Sequence, residues 1–260
     1  MLLEQLLAQG PAVLVRVAEV QGSGPREVGA WMAVGQAGMV GSIGGGQLEF
    51  DALAEARAAL KAGRVDAPRK RYALGPSLGQ CCGGVVHLDF EWLTDASRVP
   101  APPRRPVALF GGGHVGRAIA RLCVDLPFAL HWIDSRDEIF PTDLPTHIRC
   151  EHSDPVQRAV ADLTAGSQVL IMSFSHAEDL DIVAACLARQ RERADLPFIG
   201  LIGSKSKWAA FRHRLEVRGF AAEEIAHITS PIGIAGIAGK QPEVIAISAV
   251  AQLLQLASRF

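Results

Sequence analysis

Several things this sequence lacks narrow the reading before any motif is considered. It has no charge surplus: 26 Lys and Arg against 27 Asp and Glu leave a net charge of −1. A nucleic-acid backbone therefore finds no basic face to neutralise it, and we expect no such partner. The basic run Pro68-Arg-Lys-Arg71 reads as a solvated turn or strand edge. No apolar run approaches the ~18 residues of a membrane span, so no membrane partner is expected. The opening Met1-Leu-Leu-Glu-Gln-Leu-Leu7 lacks a secretory leader's basic start and reads as an amphipathic helix. Cysteine is scarce and odd in number, five in 260 residues, with no disulfide-like spacing, which points to the cytoplasm. An H-E-x-x-H zinc signature, internal repeats and low-complexity tracts are all missing. What remains is an ordinary globular composition, 49% hydrophobic, long enough for one large domain or two modest ones.

The most informative stretch that is present is Pro106-Val-Ala-Leu-Phe-Gly-Gly-Gly-His-Val-Gly116. An apolar run ends in Gly111-x-Gly113-x-x-Gly116 and a helix-like segment follows, the order of strand, glycine turn and helix opening. Bare N–H groups in such a turn cradle phosphate on the positive end of the helix. A second apolar strand, Phe128 to Ile133, ends in Asp134, ~20 residues further on, where an acidic residue meets a ribose hydroxyl. That context predicts a nucleotide-binding Rossmann half.

Downstream of residue 106 strand and helix signals alternate. Strands are expected near 107–110, 128–133, 147–150, 168–173 and 198–202, and helices near 114–125, 154–163, 177–191, 205–218 and 242–257. The strands are apolar throughout, as in a parallel sheet covered on both faces. Upstream, a strand over 12–20, a hairpin over 31–40, a helix over 47–60 and an alternating strand over 85–92 predict a smaller α+β domain. We therefore expect an α/β chain: an N-terminal α+β domain over 1–93, a proline-rich linker over 94–105 and a Rossmann-like domain over 106–260.

The N-terminal segment carries three glycine-bearing loops, at 21–26, 41–46 and 75–84. Gly44, Gly45 and Gly46 precede a helix opened by Gln47 and Glu49 and form a candidate anion cradle, and the planar fork of Arg26 suits a phosphate or carbonyl-rich ring. Cys81 and Cys82 are adjacent, a poor arrangement for tetrahedral zinc. They read either as small buried hydrophobes or as thiols activated by the free N–H groups of Gly83 and Gly84 to meet a soft metal or carry sulfur. Cys123, Cys150 and Cys186 fall in apolar patterns and are expected in the core. In the second domain, Ser175, His176 and Asp179 follow a strand, at the end where open α/β sheets bind ligands; Ser175 reads equally as a helix cap. Gly200 to Lys205 has the same placement, and the glycine-rich 230–240 loop reads as a ligand wall. The fingerprint and Asp134 alone would suit an NAD(P)-dependent oxidoreductase with His176 or His114 as acid or base, a rival reading that leaves Cys81, Cys82 and the Gly44–Gly46 loop unexplained.

These segments together resemble the XdhC/CoxI family of accessory proteins for molybdenum hydroxylases. The resemblance runs through Gly22-Ser-Gly-Pro-Arg26, Gly41 to Glu49, Leu78-Gly-Gln-Cys-Cys-Gly-Gly84, Gly111-Gly-Gly-His-Val-Gly116, Asp134-Ser-Arg136, Ser175-His-Ala177, Gly200 to Ser204 and Pro231-Ile-Gly233. Gly24 and Ala235 depart from the family pattern. The resemblance implies a chaperone rather than an enzyme. It would bind molybdopterin cofactor while a cysteine desulfurase supplies the terminal sulfido ligand, then deliver it to apo-xanthine dehydrogenase in purine catabolism. A homodimer is expected. The family's cysteine falls on Cys82, as the molybdenum contact, with Cys81 beside it. The resemblance puts the glycine fingerprint on Gly111, Gly113 and Gly116; with the residues singled out above, the candidate cofactor set is Arg26, Gly44, Gly45, Gly46, Gly111, Gly112, Gly113, His114, Gly116, Asp134, Ser175 and His176, with the two domains expected to clasp one elongated ligand.

Overall fold

The computed structural model describes residues 3–74, 84–99 and 103–257, and the chain divides into two compact units, residues 1–101 and 102–260. The first is a five-stranded antiparallel sheet with helices. Its strands are β1 (Ala12–Gln21), β2 (Trp31–Gly35), β3 (Gly38–Gly41), β4 (Arg69–Ala73) and β5 (Val85–Leu93), ordered β3-β2-β1-β5-β4. Alternation along β1 decides the layering. Val13, Val15 and Val17 enter the core beneath α2 (Gly46–Ala62), while Ala12 and Leu14 pack on the opposite face with Leu6 of α1 (Leu3–Leu7). Helix α2 buries Leu48, Ala52 and Ala56 at four-residue steps. The basic run lies in β4, at the sheet edge. Arg69 pairs with Asp89 of β5 and Lys70 with Glu55 of α2, and such charges keep an exposed edge from pairing with another chain.

The second unit holds six parallel strands: β6 (Arg105–Phe110), β7 (Phe128–Asp134), β8 (Ile148–His152), β9 (Gln168–Ile171), β10 (Phe198–Leu201) and β11 (Ile228–Thr229). Their order is β11-β10-β9-β6-β7-β8, so the chain winds one way from β6, then returns and winds the other way from β9. The crevice at that reversal is where doubly wound sheets take their ligands. Strand β6 serves both layers: Val107 and Leu109 join the core beneath α3 (His114–Cys123) and α7 (Pro242–Ala257), and Ala108 and Phe110 the core on the other face. That second face is covered by α4 (His176–Arg193), α5 (Lys205–Val217) and α6 (Ala222–Ile225). Cys123 and Cys186 are fully buried, and burial pushes each thiol up to about 12. Cys150 is half-buried, its thiol also raised by burial. No described helix is long and apolar enough to cross a membrane.

One predicted helix differs. Residues 156–162 form a 3-10 turn instead of an α-helix. Val156, Ala159 and Val160 are buried, and Arg158 N donates to Pro155 O, three residues back, at 3.1 Å. The turn's last carbonyls are satisfied from outside. Arg189 of α4, 6% exposed, donates to Val160 O at 2.6 Å and Leu163 O at 2.7 Å while pairing with Asp195 at 2.7 Å. Removing this guanidinium strands two carbonyls and a carboxylate. Arg189→Ala should therefore cost ~3 kcal/mol, read as a lowered urea midpoint. A midpoint within error of the parent's would show the turn closes without it.

Candidate functional site

Three carboxyl-end loops of the second unit meet at the strand-order reversal. Strand β6 runs into Gly111, whose φ of 123° favours glycine, and a Cβ there would overlap Met172 O, just beyond β9. A Cβ on Gly116 would overlap Gly111 O, and the Trp132 indole donates to that same oxygen at 2.9 Å. Gly111 and Gly116 are thus glycines because backbone meets backbone. Gly112 is next to Ile139, which a Cβ would approach to 2.6 Å. Gly113 differs. Its φ of −70° suits any residue, and a Cβ there meets nothing within 4 Å. It caps α3 with no side-chain hydrogen bond, so the first N–H groups of the helix, from His114 onward, have no cap of the chain's own. Gly113 and His114 are exposed.

Asp134, at the end of β7, is 2% exposed. Its Oδ2 accepts from Gly112 N at 2.5 Å and from an Arg136 terminal nitrogen at 2.9 Å; its Oδ1 accepts from Arg136 N at 2.8 Å and Arg136 Nε at 2.9 Å. Burial works to raise the Asp134 pKa, but these hydrogen bonds, chiefly from Arg136, outweigh it and hold the carboxyl below its usual range. The carboxylate expected to meet a ribose is turned inward, both oxygens occupied. Arg136 carries the local chemistry outward: its guanidinium lies 4.7 Å from the centroid of the Phe174 ring, which is 67% exposed. Glu178 joins the two loops, accepting from Ser135 Oγ at 2.7 Å and from Phe174 N at 3.1 Å.

Ser175 is the N-cap of α4, accepting from Glu178 N at 3.2 Å. His176 is exposed, its ring edge-on to Phe211 at 6.3 Å. Asp179, in the first turn of α4, accepts from Ser173 N at 2.8 Å and from Lys207 Nζ of α5 at 2.6 Å, and Lys207 also donates to Ile202 O, just after β10, at 2.9 Å. Of these residues the sequence motifs include Arg136 without giving it a role, and they assign nothing to Phe174, Glu178 or Lys207. An Asp-x-Arg at the end of a second Rossmann strand was the available signal for Arg136; nothing in the spacing marks Lys207. The 230–240 loop is held to α7, with Gly233 N donating to Gln252 Oε1 at 2.7 Å and Ile234 N to Ser248 Oγ at 2.8 Å.

In the first unit the glycine loops meet one another. A Cβ on Gly44 would press on Pro25 and Arg26, and one on Gly22 would touch Gly84. The cradle at 43–46 is filled from within. Glu49 Oε2 accepts from Ser42 Oγ at 2.6 Å, Ile43 N at 2.9 Å and Gly45 N at 3.1 Å. Gly46 opens α2. Arg26 pairs with Glu27 at 2.9 Å and reaches Ser42 O at 3.5 Å. Cys81 and Cys82 lie outside the described residues; of their neighbours, Leu74 N donates to Gly84 O at 2.8 Å. Among the described residues no group of three or more His, Cys, Asp or Glu side chains could hold a metal ion.

By strand order and glycine turn the second unit is of the Rossmann class. The chain belongs to the XdhC and CoxI family: residues 107–253, over half its length, match the family's XdhC Rossmann domain, and residues 6–72 match the XdhC and CoxI family itself. It is similar to the Escherichia coli (strain K12) uncharacterized protein YqeB, 26% identical over 250 residues, which cover 95% of this chain and 43% of YqeB. The chain thus spans less than half the length of that curated relative. A crystal structure of a Bacillus halodurans protein described as a xanthine dehydrogenase shares the fold, with a TM-score of 0.75 at 21% identity over 99% of this chain and 95% of the other.

Two outcomes follow from the glycines and from Glu49. Gly116→Ala should lower the stability by ~2 kcal/mol or more, read as a lowered melting temperature, because the clash is with backbone, whereas Gly113→Ala should stay within ~0.5 kcal/mol of the parent. Equal losses would show that the two glycines answer the same demand. For Glu49, burial raises the pKa, but hydrogen bonds from Ser42 and the loop's N–H groups win and leave it below the ordinary 4.5. A lowered folded pKa contributes stability that is complete above 4.5 and lost as pH falls through the folded value. Melting curves from pH 7 to pH 3 should accordingly fall less steeply below 4.5 for Glu49→Gln than for the parent; parallel curves would remove Glu49 from the acid response.

Proposed function

We propose that this protein is a cytoplasmic molybdenum cofactor chaperone. It binds molybdopterin cofactor, holds it while a cysteine desulfurase supplies the terminal sulfido ligand, and delivers it to apo-xanthine dehydrogenase. Membership of the XdhC and CoxI family supports the link to that enzyme. The observation that carries the binding step is the α3 N-terminus, which the chain leaves open at a glycine with no steric need to be one.

The residues fit the phosphate end of the cofactor. Gly113 leaves room for an oxyanion, and the first N–H groups of α3 supply donors on the positive end of the helix dipole. Arg117 stays alongside, donating to Gly112 O at 3.3 Å and Ile139 O at 3.1 Å, which braces the turn without filling it. When bound, the cofactor supplies molybdenum held by a dithiolene, a soft centre suited to a thiolate, and Cys82 with Cys81 is the candidate for that end. The chain's own work in this reading is to bind, to orient and to keep the phosphate anchored, and the two partners complete the sequence. The competing reading, an NAD(P)-dependent oxidoreductase, draws on the same turn and strand order. For NAD it is weakened by Asp134, whose oxygens already accept four hydrogen bonds from Gly112 and Arg136.

The test is co-purification. Protein isolated without oxygen from cells making the cofactor should carry a fluorescent pterin and no nicotinamide dinucleotide. Gly113→Val should weaken cofactor binding by ~1–3 kcal/mol in a folded protein. Cys82→Ala should keep the parent's melting behaviour yet lose bound cofactor and activation of apo-xanthine dehydrogenase. Cys123→Ala, the control, should lose ~1 kcal/mol of stability and no cofactor. Full cofactor occupancy in both Gly113→Val and Cys82→Ala would sink the assignment.

A further inference from the structure

The exposed ring of Phe174 has no role in what precedes, and its setting is unusual for a surface phenylalanine. It is 67% exposed, yet everything that positions it is fixed. Its own N–H donates to Glu178, whose other oxygen takes Ser135 Oγ from the loop after β7. Its neighbour Arg136 is held by two guanidinium nitrogens on Asp134, each at 2.9 Å, and Asp134 is withdrawn from water. The guanidinium, its Cζ 4.7 Å from the ring centroid, therefore cannot swing away without breaking its ion pair with the buried Asp134. A surface phenylalanine with no function would be free to fold back onto apolar neighbours; this one stands beside an anchored cation.

The position matters as much as the rigidity. Phe174 is two residues past Met172, whose carbonyl packs against Gly111, and Gly112 donates to the same carboxylate that holds Arg136. Ring, guanidinium and glycine turn thus share one end of the sheet, at the reversal between β6 and β9. Asp134 and Arg136 cancel in charge, and the Asp134 oxygens are occupied, so the acid offers no free acceptor to a hydroxyl there. What the pair offers instead is a flat, electron-rich face stiffened by a stacked cation, the kind of surface on which planar heterocycles stack irrespective of their exact hydrogen-bonding edges.

We propose that Phe174, fixed by Arg136, is the stacking platform for the bicyclic heterocycle, pterin or purine, of a ligand whose phosphate lies at the Gly111–His114 turn. This rests on the phosphate placement proposed above and adds which part of the ligand meets the loops after β7 and β9. Asp134 is then a positioning residue for Arg136, which accounts for an acid at the ribose position that has no oxygen to offer a ribose.

Binding to the full-length protein separates the possibilities, with molybdopterin handled anaerobically, adenosine 5′-monophosphate, and ribose 5-phosphate as the phosphate without a heterocycle. The parent should bind at least one of the two heterocyclic ligands roughly tenfold more tightly than ribose 5-phosphate. Phe174→Ala should erase that preference while leaving ribose 5-phosphate affinity and the melting temperature as in the parent, and Phe174→Trp should preserve it. Unchanged preference in Phe174→Ala overturns the stacking role, as does a parent that prefers neither heterocycle. If the parent binds adenosine 5′-monophosphate but not molybdopterin, and Phe174→Ala abolishes the difference, the platform stands and the chaperone reading falls. If it binds molybdopterin equally well with and without the ring, the chaperone reading stands and the platform falls.

Discussion

A carboxylate withdrawn from water must be surrounded by donors, and the arrangement of donors around Asp134 organises the carboxyl end of the parallel sheet. Gly112 supplies one from the turn after β6, and Arg136 supplies three from the loop after β7. Removing any of these groups leaves a buried charge short of partners, which is costly in proportion to its burial. The turn is therefore held at both ends: Gly111 lies against the carbonyl of Met172, and Gly112 hangs on Asp134. Through Arg136 and Phe174 the same carboxylate fixes the aromatic face beside the turn, although no part of it reaches the surface.

Most of the second unit was legible because its signals are redundant. Apolar strands, glycine turns and helical stretches each repeat several times in order, so an error at 156–162 leaves the topology unchanged; the two-residue β11 at the sheet edge was too short to show, and five strands were read where there are six. The glycine fingerprint was legible for a similar reason: Gly111 and Gly116 exist to let backbone touch backbone, a demand only glycine meets. What the spacing could not disclose was direction. An acid at the end of β7 looks the same whether its oxygens face a ligand or the interior, and only Arg136, two residues on, turns it inward. The same holds for Glu49, an ordinary first-turn acid of α2 that reaches back to fill its own glycine loop. Lys207 was invisible because its partner Asp179 belongs to another helix, α4, a pairing set by the sheet and not by proximity in the chain.

The two glycine-rich turns that looked alike in sequence thus part company for a physical reason. Both present N–H groups at the start of a helix. In the first unit a carboxylate of the chain answers them, and a loop so satisfied is rigid and closed to an incoming anion. In the second unit the nearest acid is already spent on Gly112 and Arg136, so the groups from Gly113 onward keep their capacity.

The helices that leave the carboxyl end of the parallel sheet sharpen the contrast. Helices α4 and α5 each begin with a serine, Ser175 and Ser204, whose hydroxyl accepts from the N–H three residues on. Helix α3 begins with Gly113 and has no such bond. A serine or threonine cap is worth ~1 kcal/mol over a residue that cannot cap, while glycine loses only a few tenths, so the absence is tolerable but not neutral. It cannot be traced to crowding, since the space at Gly113 is open, nor to a backbone angle, since any residue could adopt it. An oxygen supplied from outside the chain would complete that helix as Ser175 and Ser204 complete theirs, and would do so beside a ring and a guanidinium that are already held in place.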